Sequence, residues 1–334
     1  MDQLPLVLLL KIAEYSLDTW KCFVLAHPRV GRWSLQSEYQ KYIQRKYTQY
    51  TEHLSHFNGI IREYKLCNKH HNVDGPAIEY SDATRIWYRY GLRHRPKEDG
   101  DLPAVENSDG SKGWWLNGIN YAIERPNVGK YWYTGGRPAM LHNIDGPAIE
   151  RSDGTKEWYK YGLCHRDDDL PAIESADGDK EWWLNGKRHR DGDFPAVERP
   201  DGNKEWYKNG LRHRDDNLPA IERGDGTKGW WVNGKCHRDD GLPAVERPSG
   251  TKEWWVNGGR HRDGDSPAVE HANGTKEWWK NGLLNREGDL PVVERADGEK
   301  IWYKNSKLHR DGDLPAVVRA NGTKEWYQNG KRYQ

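Results

Sequence analysis

From Pro147 to Pro315 the chain repeats itself every 24 residues, and that period constrains the fold more than any other feature. Pro147, Pro171, Pro195, Pro219, Pro243, Pro267, Pro291 and Pro315 are evenly spaced. Each opens a unit that reads P-A-[IV]-E-x-x-D-G-x-K-E-W-[WY]-x-N-G-x-x-H-R-D-x-D-L, with small departures. A fixed period of this length belongs to stacked arrays, in which each unit touches mainly its neighbours. Repetition also bears on function. Arrays make surfaces for binding or building, whereas a catalytic pocket needs one particular constellation.

Gly and Pro recur in every unit, which argues against helix. The spacing predicts two strands per unit, as at residues 171–174 and 180–184. Asp177-Gly178 and Asn185-Gly186 are hairpin turn signals, because Gly accepts positive φ. The chain should therefore meander as antiparallel hairpins. Counting outward from the regular part gives eleven units, the earliest beginning at Pro76, Pro103 and Tyr121. Their spacing is irregular, and the differences sit in connections. Residues 94–102 carry extra residues, the H-R-D-x-D-L segment is missing between Asn120 and Tyr121, and residues 136–147 are lengthened. Indels confined to connections are what a stack of repeated strands predicts.

Hydrophobic content is only 35% and 31% of residues are charged, a balance that leans toward disorder. The 18 Trp and 18 Tyr counter it, because large rings bury area where aliphatic residues are scarce. They recur as a pair. The first position is Trp throughout, including Trp87, Trp114 and Trp132 and then Trp158, Trp182, Trp206, Trp230, Trp254, Trp278, Trp302 and Trp326. The second is Trp or Tyr. Neighbouring strand residues point to opposite faces, so each face gains an aromatic column. The Trp158–Trp326 series is the expected repeat core. The competing reading is a solvent-facing Trp row that binds sugars, bases or proline-rich peptides.

The H-R-D loops place one His per unit, from His165 to His309, with Asn285 as the exception. Two-stranded units advance about 10 Å each, too far for two such histidines to share an ion. A structural ladder of Arg–carboxylate and His hydrogen bonds is the expectation, with no metal site and no cofactor. Repeat carboxylates such as Glu174 and Asp177 belong to the same template. No nucleophile–base pair or phosphate-binding glycine loop appears, so enzymatic activity is not expected. The 52 basic and 51 acidic residues leave a formal charge of +1, which offers no general field for nucleic acid or anionic membrane. Cys164 and Cys236 occupy equivalent positions three units apart, about 30 Å by the same spacing and beyond disulfide reach. A reducing compartment follows, and with it cytoplasmic rather than secreted placement. The apolar run at residues 4–10 is short and has no basic residue before it, unlike a signal peptide.

The units resemble MORN repeats, in the variant form rich in D-G-x-K-E-W-Y-x-N-G, over roughly residues 70–332. The turn glycines and the aromatic-then-Gly pattern (Trp158-Tyr159 to Gly162, Trp206-Tyr207 to Gly210) carry the likeness. The resemblance implies an elongated, twisted sheet of hairpins used for protein contact, scaffolding or sometimes lipid association. The Pro-Ala and His-Arg-Asp elements depart from the usual pattern.

Before residue 70 Gly nearly vanishes and helix-compatible residues dominate, with a last helix expected at about residues 34–50. Leu4-Pro5, Leu8-Leu9, Ile12, Leu25 and Trp33 resemble an F-box, which implies a three-helix module docking on a Skp-type adaptor of cullin ubiquitin ligases. A helical cap over the first edge strand is the plainer reading. The expected domains are thus a helical module at 1–50, a connector with a capping strand at 51–70, and the array at 71–334. The combination resembles proteins of large DNA viruses of amoebae, such as the marseilleviruses. Two functions follow as expectations. One is a substrate adaptor holding a target on the array. The other is a structural protein of the virion or viral factory, using the array as spacer or cement. Oligomeric state is left open. Any specialised partner site should lie in the irregular stretch, at Lys97, Glu98, Asp99, Arg137 and Met140, where the uniform surface breaks.

Overall fold

The computed structural model describes residues 48–52, 59–66, 68–96, 100–135 and 138–333. It divides into two compact units, Met1–Gly154 and Thr155–Gln334. Both are antiparallel β-meanders of hairpins.

In the second unit each 24-residue repeat carries four very short strands. The repeat that opens at Pro171 has Ile173–Glu174, Lys180–Glu181, Trp183–Leu184 and Lys187–Arg188. The first two belong to one continuous ladder. Lys156–Glu157 pairs with Ile173–Glu174, which pairs with Lys180–Glu181, which pairs with Val197–Glu198. The same alternation runs on to Lys324–Glu325. Register never slips: Lys180 faces Glu174 on one side and Glu198 on the other. Opposite charges across a strand pair are each worth about 0.2–1 kcal/mol. The other two strands form a side hairpin with Trp183 opposite Arg188.

The expected strand over 180–184 is therefore split, and the break falls at the first tryptophan. Trp182 N–H donates to the Ala196 carbonyl of the next repeat at 2.8 Å, while the Trp182 carbonyl accepts from His189 N–H at 3.1 Å. One residue serves two ladders, so the chain swings from the meander to the side hairpin there. The two turns also differ in kind. Asn185 and Gly186 both have positive φ (48° and 78°), a type I′ turn. At Asp177-Gly178 only Gly178 is left-handed (φ 95°), and its N–H donates to the Ser175 carbonyl. That is a three-residue loop, a type I turn closed by a left-handed glycine.

The core is a seam of small and very large residues. Ala172, Ala196, Ala220, Ala244, Ala268 and Ala316 are fully buried. Ala196 shows why the position is small: its N–H donates to the Glu205 carbonyl and its own carbonyl takes Trp182 N–H, so backbone packs on backbone there. Trp182, Trp206, Trp230, Trp254, Trp278 and Trp302 are all buried. Trp158 and Trp326 are half-buried.

In the first unit Ile60–Leu66 lies between Gln49–Glu52 and Ile78–Tyr80. Gln49 and Tyr50, expected to end a helix, are in strand instead. Where the six-residue loop is missing after Asn120, Lys112–Leu116 and Ile119–Arg125 form one long hairpin with a register shift between Asn120 and Ala122. Without a loop to separate them, the side hairpin and the meander merge into a single ladder. The F-box-like residues Leu4, Pro5, Leu8, Leu9, Ile12, Leu25 and Trp33 lie outside the described residues, as do Lys97, Glu98, Asp99 and Arg137.

Candidate binding surface

The H-R-D loops hold most of the polar chemistry, and they spend it on the stack itself. The Arg190 guanidinium lies 3.8 Å over the Trp182 ring. Its Nη1 donates to the Pro195 carbonyl at 3.3 Å and to Glu198 at 3.2 Å. Its Nε and Nη2 grip Asp169 of the preceding repeat at 2.9 and 3.0 Å. A planar, forked cation is needed to stack and bind a carboxylate at once, which lysine cannot do. Asp193, Asp265 and Asp289 are held the same way, and the Arg hydrogen bond keeps each carboxyl below its ordinary range.

Histidine ties each repeat to the next. His189 Nδ1 accepts the Asn209 N–H at 3.2 Å, and Nε2 faces Asp191 Oδ1 at 3.0 Å. A backbone N–H can only donate, so Nδ1 carries no proton and the ring is the neutral Nε2–H tautomer. His165, His213, His237, His261 and His309 repeat the contact with Asn185, Asn233, Asn257, Asn281 and Asn329. The ladder expected from sequence is thus made largely of bonds between repeats.

The second aromatic column is bound to a Glu two residues earlier. Trp183 Nε1 donates to Glu181 at 2.8 Å, and Arg188 reaches the same carboxylate at 3.0 and 3.1 Å. Arg188 also lies between Trp183 (5.1 Å) and Tyr207 of the next repeat (5.6 Å). Burial alone would raise the Glu205 and Glu253 carboxyls. Hydrogen bonds and charge from Arg199 and Arg212, and from Arg247 and Arg260, outweigh it and hold both low. Cys236 stands at the Arg188 position in the repeat where Gly229 stands in place of Glu181. Cys164 and Leu284 stand at the same place in repeats that keep the glutamate, Glu157 and Glu277. Burial pushes the Cys164 and Cys236 thiols up to about 12, which leaves them inert.

What remains for a partner is a row that sequence reasoning passed over. Leu170, Phe194, Leu218, Leu242, Leu290 and Leu314 each precede the repeat's proline and stay 39–58% exposed. They recur every 24 residues, about 10 Å of stack, and the row is broken only at Ser266. The signal was present: an apolar residue at one fixed place in an otherwise charged loop. Beside Ser266 lies a cleft of about 550 Å³ lined by Arg262, Ser266, Trp278, Asn285, Arg286 and Leu290. Ser266 stands for Leu and Asn285 for His, so two smaller side chains open it. Met140, expected in a partner loop, is 37% exposed and hydrogen-bonds locally to Thr134. Among the described residues no three His, Cys, Asp or Glu side chains gather closely enough to hold a metal ion, and no helix is long and apolar enough to cross a membrane. No protein-family model matches the chain, and no curated protein matches it.

Proposed function

We propose that the protein is a non-enzymatic, protein-binding scaffold, with the row from Leu170 to Leu314 as its target surface. One observation carries this reading. Most polar groups of the H-R-D loops bond within the stack, while an apolar side chain at regular intervals is left 39–58% exposed to water. The regular spacing of these side chains supports their use as one extended contact surface. The F-box-like residues from Leu4 to Trp33 extend the reading. They make the chain a substrate adaptor that engages a Skp-type protein through its N-terminal segment and a target through the array.

Two variants separate the halves. Leu218→Asp with Leu242→Asp alters only exposed positions and should abolish target capture with the melting temperature unchanged. Leu8→Asp should abolish binding of purified Skp-type adaptor, read by calorimetry, and leave target capture intact. Full target capture by the Leu218/Leu242 variant would sink the surface, and no adaptor binding by the parent chain would sink the adaptor role.

A further inference from the structure

Four arginines of the loops, Arg190, Arg214, Arg286 and Arg310, each receive a forked carboxylate from the preceding repeat: Asp169, Asp193, Asp265 and Asp289. The two arginines between them do not. Arg238 meets Asn217 at that place, and Arg262 meets Gly241. Asn217 turns its amide to Asp240 at 3.4 Å, and Arg238 Nε is left buried without a partner. Arg262 spends only Nη1, on the Pro267 carbonyl at 3.1 Å and on Glu270 at 2.8 Å. A Cβ built on Gly241 would meet nothing within 4 Å, so the way into the aspartate's place is open. The Arg262 side chain is 26% exposed, against 11–16% for the four filled positions, whereas that of Arg238 is as covered as they are, at 15%.

We propose that the open place at Arg262, and the one at Arg238 once Asn217 swings aside, receive two carboxylates from an acidic segment of a protein partner, which completes the ladder that the chain leaves unfinished. The inference rests on the scaffold reading and names the chemistry of its target. The ligand class is set by the protein's own filled slots, where Nε and Nη2 hold an aspartate at 2.6–3.0 Å. A forked donor pair selects a forked acceptor. Successive slots are one repeat apart, about 10 Å, which an extended segment spans in about three residues. Leu218 and Leu242 directly follow Asn217 and Gly241 and are exposed, so apolar residues between the carboxylates find cover there. The exposed aspartates nearby are no obstacle. Asp193 sits beside Asp215 and is held firmly by Arg214 all the same.

The test uses the full chain and a dye-labelled, end-blocked peptide containing Asp-Leu-Pro-Asp-Leu, with a control in which both aspartates are asparagine. Asn217→Asp and Gly241→Asp fill the slots from within. Both positions have left-handed backbone (φ 53° and 66°), as do Asp169 and Asp313, so aspartate fits. Fluorescence anisotropy should show the parent chain preferring the aspartate peptide by about tenfold or more, the strength of charge-assisted pairing. The double variant should lose that preference and melt at a higher temperature, which rules out unfolding as the cause. Equal binding of both peptides, no binding of the aspartate peptide, or an undiminished preference in the double variant would each overturn the proposal. If the double variant still captures the protein target that Leu218→Asp with Leu242→Asp loses, the carboxylate inference fails and the scaffold reading stands.

Discussion

The indole N–H of the first tryptophan sorts the loops into two conformations. Trp182, Trp230, Trp254 and Trp326 donate to the carbonyl thirteen residues earlier, at 2.8–3.2 Å. In each case that residue and the one before it are both left-handed, as at Asp168-Asp169 and Asp240-Gly241. At Gly192-Asp193 and Gly264-Asp265 only the glycine is, and Trp206 and Trp278 keep buried, unpartnered N–H groups, while Trp302 reaches the Asp289 carbonyl only at 3.5 Å past a left-handed Gly288. Both Trp→Phe changes lose ring packing, but Trp230→Phe should cost about 1 kcal/mol more than Trp206→Phe, because only Trp230 also loses a hydrogen bond. Hydrogen exchange at the flanking repeats reads both. A larger loss at Trp206 than at Trp230 would contradict the assignment. The tryptophans were legible in the sequence as the likeliest core, since little else was available to bury. Their partners were not, because Asp-Gly-Asp takes either conformation: Gly312-Asp313 is left-handed at both residues. A second prediction concerns His71, which is fully buried and accepts Tyr90 N–H at Nδ1. Burial, and then the Arg89 charge, lower it from 6.5 to about 4. The folded form binds its proton less readily than the unfolded chain. Its contribution is therefore intact above about pH 6.5 and is lost as pH falls toward 4, by up to about 3 kcal/mol. His71→Gln should flatten that dependence in urea titrations between pH 7 and pH 5. An unchanged slope would contradict it.

Turns and short strands carry the period, and they differ in how openly the sequence declares them. Asn-Gly between apolar residues announces a type I′ hairpin, and the chain folds so. Gly210 has φ 87° and only the Lys187 side chain near the place of a Cβ. Gly210→Ala therefore meets little steric obstruction but pays the left-handed penalty, about 1–2 kcal/mol. Loss of exchange protection at Tyr207–Arg212 checks it. The split of the second strand was not legible, because it depends on the Ala196 carbonyl of another repeat competing for Trp182 N–H. The pairing of Glu181 with Arg188 was hidden for a related reason. It crosses a hairpin and the sequence does not mark it, since Cys164 and Leu284 stand at the arginine's place while Glu157 and Glu277 are kept. Gly229→Glu alone should find Arg223, placed as Arg199 is to Glu205, and adding Cys236→Arg should stabilise it further. The expected coupling in a double-mutant cycle is about 1–2 kcal/mol. Additive effects would show that the pair is incidental.

Across the second unit the interactions outside the turns reach one repeat and no further. Tryptophan, histidine and arginine reach partners 13, 20 and 21 residues away. Stability is then a sum of repeat and nearest-neighbour contributions, which denies any single repeat a privileged place. Such an array loses all-or-none unfolding, so local exchange protection is the proper observable. The period and the antiparallel meander were legible from the spacing of proline and glycine. The exposed leucine row and the two unfilled arginines were not, since both are defined by what neighbouring repeats fail to cover. The decisive measurement is hydrogen exchange on two internal deletions starting at Pro195, one removing 24 residues and one removing 12. The 24-residue deletion should rejoin every ladder in register and leave the remaining repeats as protected as in the parent chain. The 12-residue deletion should strip protection from the repeats on either side. Equal damage from both, or equal tolerance of both, would contradict a stack locked by contacts at one fixed period.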